Sequence, residues 1–162
     1  MNDAKATRSS FYCVREQAFT SSFPPTDQAL SEPDGLLAIG GKLNVKTLLE
    51  AYKLGIFPWY SEGSPVMWWS PKVRPVIRPS EIRISKSLKK TINKNPFDLS
   101  YDKCFKKIMQ YCSTSGDRTG KSWITSTMIE AYTDLHKLGH AHSVECWQNG
   151  EICGGLYGVS VG

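Results

Sequence analysis

"HSVECWQNGEICGGLYGVSVG", residues 142 to 162, reads as two strand-like runs on either side of Asn149-Gly150. That dipeptide suits the two left-handed positions of a type I′ turn, so the stretch predicts a β-hairpin. Its glycine-rich part, Gly154-Gly155-Leu156-Tyr157-Gly158, lies within a strand and opens no helix. It is therefore weak as a phosphate cradle, and glycine admitting a close ligand or backbone is the more natural reading.

Immediately upstream, SWITSTMIEAYTDLHKLG carries a helical stripe on Met128, Ile129, Tyr132 and Leu135. Thr127 and Glu130 have capping-box spacing, and Gly139 ends the helix. GDRTG, 116 to 120, predicts a loop, and an earlier helix near Asp102 to Cys112 rests on Phe105, Ile108, Met109 and Cys112. Before that, Ile82 and Ile84 flank Arg83 as in a short strand. Ser85 then caps a helix that Pro96 ends. Lys86, Lys89, Lys90 and Lys94 occupy an arc of about 140° on that helix, with Leu88 and Ile92 opposite as a face to dock it.

The N-terminal part differs. MNDAKATRSS resembles a frayed tail and leads into no apolar stretch. Asp34-Gly35 marks a turn. Asn44 caps a helix bearing Val45, Leu48, Leu49 and Tyr52, with Gly55 as its stop. "GIFPWYSEGSPVMWWSP", 55 to 71, then gathers three of the chain's five tryptophans among prolines. Trp68 and Trp69 are adjacent, so in an extended chain one of them faces inward.

The chain has 162 residues, 40% hydrophobic and 22% charged, which suits one domain or a small module leaning on a second. No run reaches the roughly 18 apolar residues of a membrane helix. Its five cysteines (Cys13, Cys104, Cys112, Cys146, Cys153) never fall as C-x-x-C, which argues against zinc or a disulfide framework and for buried or idle thiols in a reducing cytosol. The net charge is +5, yet Lys72 to Lys94 alone carries +7 and the remainder −2. A local basic patch fits a polyanion, and a solvated lysine face is the alternative. Aromatic rings stack on nucleobases while lysines attract phosphates, a pairing better suited to an RNA end than to a DNA duplex groove. No H-E-x-x-H, G-x-S-x-G or Walker pattern occurs. His136 and His140 are separated by Gly139, which favours structural hydrogen bonding over metal ligation.

Several motifs in series carry a family resemblance. Pro33-Asp34-Gly35-Leu36-Leu37-Ala38-Ile39-Gly40-Gly41, Gly55-Ile56-Phe57-Pro58-Trp59 and Trp68-Trp69-Ser70-Pro71 with Arg74 are similar to the leucyl/phenylalanyl-tRNA–protein transferases. Trp123-Ile124-Thr125, Glu130-Ala131-Tyr132, Leu138-Gly139-His140-Ala141-His142-Ser143 and Gly154-Gly155-x-Tyr157-Gly158 continue the resemblance in order over about residues 23 to 162.

The resemblance implies an α/β (α+β) chain: a flexible tail over 1–20, a small N-terminal domain over 21–73 with the tryptophan loop, and the first half of an acetyltransferase-like (GNAT) domain over 74–162. It implies a cytoplasmic enzyme, without cofactor or metal, that moves Leu or Phe (Met less well) from aminoacyl-tRNA to proteins beginning with Arg or Lys. The product is marked for N-end rule degradation, and neither membrane nor DNA is a partner. Trp59, Trp123, Tyr52 and Tyr132 match positions that hold the aminoacyl-adenosine, and Leu156 one that lines the amino-acid pocket. Lys86, Lys89, Lys90 and Lys94 match a tRNA-binding basic helix in which Asn93 replaces a basic residue. The family's acidic and amide catalytic groups fall beyond Gly162, so the resemblance assigns no catalytic residue here. A tRNA-binding module without chemistry is the alternative, and a small-molecule acetyltransferase a remoter one.

Overall fold

A computed structural model describes residues 23–94, 96–116 and 122–161, together with the backbone of 12–14. The chain is mixed α and β, arranged as two sheets with helices between and beside them.

The first sheet has the order β1-β2-β4-β3. It is built from Tyr12–Val14 (β1), Leu36–Gly40 (β2), Phe57–Pro58 (β3) and Met67–Trp69 (β4). β1 lies parallel to β2, and the other pairings are antiparallel. The stretch expected to be a tail thus contains one short strand, and the rest of residues 1–20 lies outside the described residues. Between β2 and β3 runs α1, Val45–Lys53, where Asn44 Oδ1 accepts the Thr47 amide at 3.0 Å. Gly55, at φ +72°, turns the chain out of that helix as expected. Trp68 is the inward tryptophan: it is fully buried, meets Phe23 edge-on at 4.9 Å and donates its indole N–H to the Gly40 carbonyl at 3.0 Å.

The second sheet is the antiparallel meander β5-β6-β7, formed by Asp98–Tyr101, Ala141–Gln148 and Glu151–Val159. Asn149 and Gly150 have φ of +53° and +80°, as a type I′ turn requires. α3, Phe105–Thr114, and α4, Ser126–Lys137, pack on one face of this sheet. Gly155 permits that packing, because a Cβ there would lie 2.5 Å from Ile108 Cδ1. The core runs from the first sheet through α1 to α4 and the hairpin, with Ile56, Trp68, Leu48, Met128, Leu135 and Ala141 all buried within it.

Four sequence expectations need correction. Ile82 and Ile84 form no strand; a short 3-10 turn, Pro79–Glu81, precedes them and both are exposed. α2, Lys86–Asn93, is capped by Ser85 as expected, but Leu88 and Ile92 are about half exposed, so the face meant to dock is open. Thr125, not Thr127, caps α4, accepting the Met128 amide at 3.2 Å. β5 had no sequence signal, and α3 begins three residues later than expected. The GDRTG loop lies outside the described residues from Asp117 onward. No helix among the described residues is long and apolar enough to cross a membrane.

Candidate functional site

The aromatic site forms where α1 meets α4. Tyr52 ends the apolar stripe of α1, and Tyr132 lies in the middle of α4. Their hydroxyls are 2.5 Å apart and their rings meet edge-on at 6.3 Å. Tyr157 of β7 adds a third ring, edge-on to Tyr132 at 6.2 Å. Burial raises the pKa of all three phenols, so each stays a neutral hydroxyl. For Tyr52 the bond from Tyr132 opposes that rise without cancelling it. Tyr132 is buried and Tyr52 half-buried, so of the two only Tyr52 meets solvent appreciably.

The two tryptophans of the expected site are held on separate supports. Trp59 follows β3. Its backbone N–H donates to the Met67 carbonyl at 3.0 Å, its own carbonyl accepts the Trp69 indole N–H at 2.7 Å, and the two indoles are tilted at 5.5 Å. Held in that way, it still leaves 51% of its surface open, which a core role would not. Trp123 precedes α4, also partly open, with its carbonyl accepting the Thr125 amide at 3.1 Å. A bond of 3.3 Å between the hydroxyls of Tyr60 and Thr125 ties the segment of Trp59 to that of Trp123. Arg74 braces the loop further by donating to the carbonyls of Gly55 and Pro71 and to Ser70 Oγ.

Leu156 stands apart from the tyrosines. It pairs with Val144, whereas Tyr157 pairs with the buried Ser143, so the strand's period of two puts the two side chains on opposite faces. On its own face Leu156 lines a cavity of about 300 Å³ with Tyr101, Asp102, His142, Val144 and Val159.

That cavity holds a pair the sequence did not reveal. Asp102 has φ +57° and accepts from His142 Nδ1 and from the Ser143 amide, both at 2.8 Å. The bond with His142 is the main reason the carboxyl pKa is lowered, and Asp102 in return raises the imidazole's. His136 has a structural setting. It stacks on Phe105 at 4.5 Å, its Nδ1 bonded to the Ala141 carbonyl at 2.8 Å. Among the described residues no three His, Cys, Asp or Glu side chains cluster as metal ligands would.

The four lysines sit on or just past α2. All are exposed, as is every residue from 72 to 94. They form an open basic surface.

The described residues thus combine, on a mixed α and β fold, a neutral tyrosine cluster, two open indoles and an exposed basic helix. Two family models match the chain: "Leucyl/phenylalanyl-tRNA protein transferase" over residues 76–162 and that family's N-terminal domain over residues 41–72. Curated relatives named leucyl/phenylalanyl-tRNA--protein transferase include one from Legionella pneumophila (strain Paris), 53% identical over 145 residues, or 90% of this chain and 65% of the relative. Others come from Nitrosomonas eutropha, at 49% over 92% of this chain and 64% of the relative, and Azotobacter vinelandii, at 48% over 87% and 62%. The chain belongs to the leucyl/phenylalanyl-tRNA–protein transferase family. It spans a little under two thirds of the length of the relatives it matches.

Proposed function

We propose that this protein is an aminoacyltransferase that moves Leu or Phe, and Met less well, from aminoacyl-tRNA to the N-terminal Arg or Lys of acceptor proteins. It acts in the cytoplasm, and its products enter N-end rule degradation. The observations that carry the reading are the hydroxyl-paired Tyr52 and Tyr132 and the open indoles of Trp59 and Trp123, whose segments the Tyr60–Thr125 hydroxyl bond ties together. The relatives' names are those of transferases, which favours this reading over a binding module without chemistry.

In the reaction the acceptor's neutral α-amine attacks the ester carbonyl joining amino acid to ribose. The C–N bond forms, the C–O bond breaks, the ribose oxygen leaves and the amine's extra proton is given up. The ester is already activated, so much of the rate comes from holding ester and amine together. Trp59 and Trp123 offer flat faces for the terminal adenine and the aminoacyl group. The Tyr52–Tyr132 pair offers an uncharged hydroxyl to the sugar or ester; Leu156, on the opposite face of the sheet, lies outside this group. Lys86, Lys89, Lys90 and Lys94 attract the phosphates of the tRNA body. We also propose domains over 21–73 and 74–162, the second of acetyltransferase-like (GNAT) fold. The two family matches, which part between residues 72 and 76, support that division.

The test uses an amide-linked phenylalanyl-adenosine analogue, which cannot be hydrolysed. Trp59→Ala or Trp123→Ala should each cost about 1–3 kcal/mol of binding with little change in thermal midpoint. A fall in midpoint that fully accounts for the weaker binding would make the indoles packing residues. Leu transfer from Leu-tRNA to an Arg-starting peptide, assayed on the same preparations, tests the reaction itself.

A further inference from the structure

The β6–β7 hairpin is not regular. Cys146 pairs with Gly154 and Trp147 with Ile152, so Cys153 is an extra residue in β7. Regular alternation would put Cys153 on the face away from Cys146, since its neighbour Gly154 is Cys146's partner. The bulge re-aims it. Its thiol donates to the Cys146 carbonyl at 3.4 Å, and the two sulfurs are 3.8 Å apart. Gly154, with no side chain beside Cys146, leaves the space between them clear. Cys153 is exposed and Cys146 half-buried. Beside Cys153 opens a cavity of about 380 Å³ between α3 and β7, lined also by Tyr111, Cys112 and Ser115.

We propose that Cys146 and Cys153 form a thiol modification site, a dithiol that closes reversibly to an intrachain disulfide by exchange with a low-molecular-weight disulfide. The exposed Cys153, as thiolate, attacks one sulfur of the reagent. The reagent's S–S bond breaks, and one small thiolate leaves and takes a proton. The remaining small thiol, bonded to Cys153, has the adjoining cavity to occupy. Cys146 then loses its proton to solvent and attacks Cys153 Sγ. The mixed bond breaks and the second small thiol is released. Two hydrogens have passed from the protein to the reagent, which is reduced to two thiols.

The order follows from access. Cys153 meets solvent, and burial together with the bond from Cys153 keeps Cys146 protonated until its partner has reacted. The sulfurs already touch across one hairpin, so closure asks for side-chain rotation and not for movement of a strand. The bond would fix the start of β7, three residues before Leu156.

Oxidised glutathione in excess over the folded, reduced chain is the probe, followed by alkylation of remaining thiols and cleavage after glutamate. Cuts after Glu145 and Glu151 place the two cysteines on separate peptides, 146–151 and 152–162. The expected result is one monomeric product in which these peptides emerge joined and part on reduction. Cys146→Ser should instead retain a single glutathionyl group on peptide 152–162. Alkylation of both thiols in the wild-type chain, a stable glutathione adduct on wild-type Cys153, or pairing of either residue with Cys112 or with another chain would each overturn the proposal.

Discussion

Asp102 and His142 show how one residue's backbone and side chain can serve a single contact. The left-handed backbone at Asp102 turns β5 toward α3, and its carboxylate spans the His142 ring and the Ser143 amide. Because the pKa of Asp102 is lowered on folding, its contribution to stability is present above the unfolded carboxyl's pKa and is lost as pH falls through the folded value. That of His142 is raised, so its contribution is full below the unfolded imidazole's pKa and disappears as pH rises through the folded one. The stabilisation is therefore greatest between roughly pH 4 and pH 6.5. Asp102→Asn keeps a side chain that tolerates positive φ. Its urea midpoint should fall furthest below the wild type's in that window and approach it above neutrality; a pH-independent gap would mean that the ion pair contributes nothing. Glu145 is a second such residue, fully buried on the opposite face of β6. Burial alone would raise its pKa, yet bonds from the Ser100 and Ser143 hydroxyls and from the Cys104 and Lys103 amides outweigh it and lower the net value. Glu145→Gln puts donors against those donors and should cost about 1.5–3 kcal/mol in urea unfolding. An unchanged midpoint would show that the network adapts to an amide.

At the scale of elements, α2 isolates the electrostatics of the chain. Its lysines are solvated, so their attraction for RNA is screened by salt and changes little with the amino acid attached. Lys89→Glu with Lys90→Glu should weaken tRNA binding and reduce the slope of log affinity against log salt by about 2. An unchanged slope would make the arc an idle solvated face. Elements with their own local chemistry were legible in the sequence: the Asn44 and Ser85 caps, the Asn149-Gly150 turn, and the stripe of α4. Those that depend on what packs against them were not. Ile82 and Ile84 alternate, but among the described residues no strand pairs with them. In β5 only Ser100 is buried, while Leu99 and Tyr101 are exposed, so no apolar alternation announced the strand. Thr127 has capping-box spacing, but the helix starts at Ser126 because Thr125 accepts first. The members of the expected site could be named from resemblance, yet the Tyr52–Tyr132 bond joins residues 80 apart in sequence. Cys146 and Cys153 meet only through a bulge that no spacing rule encodes.

Across the whole molecule, apolar surface is unevenly covered. One face of the second sheet carries α3 and α4, while the other leaves Leu99, Tyr101 and Leu156 more than half exposed. Val73, Val76 and Ile77 are at least 80% exposed, and Ile82, Ile84, Leu88 and Ile92 are about half exposed on the segment that also bears the basic charge. Exposed apolar side chains in this number draw a partner or drive association where they form patches. β7 adds to it, having a strand neighbour on one side only among the described residues, so its other edge offers unpaired backbone groups. The +7 of residues 72–94 opposes self-association at low salt through like-charge repulsion, and added salt removes that opposition. The 162-residue polypeptide should therefore be closest to monomeric in dilute, low-salt buffer. It should shift to larger species as salt or protein concentration rises, with bound 1-anilinonaphthalene-8-sulfonate fluorescing even in the monomer. Sedimentation velocity over a matrix of salt and protein concentrations reads this directly. Leu99→Lys with Leu156→Lys should delay the shift if the open sheet face drives it, whereas Leu88→Lys with Ile92→Lys should do so if α2 does. A monomer that persists at high salt and leaves the dye dark would show that these side chains find cover within the chain itself.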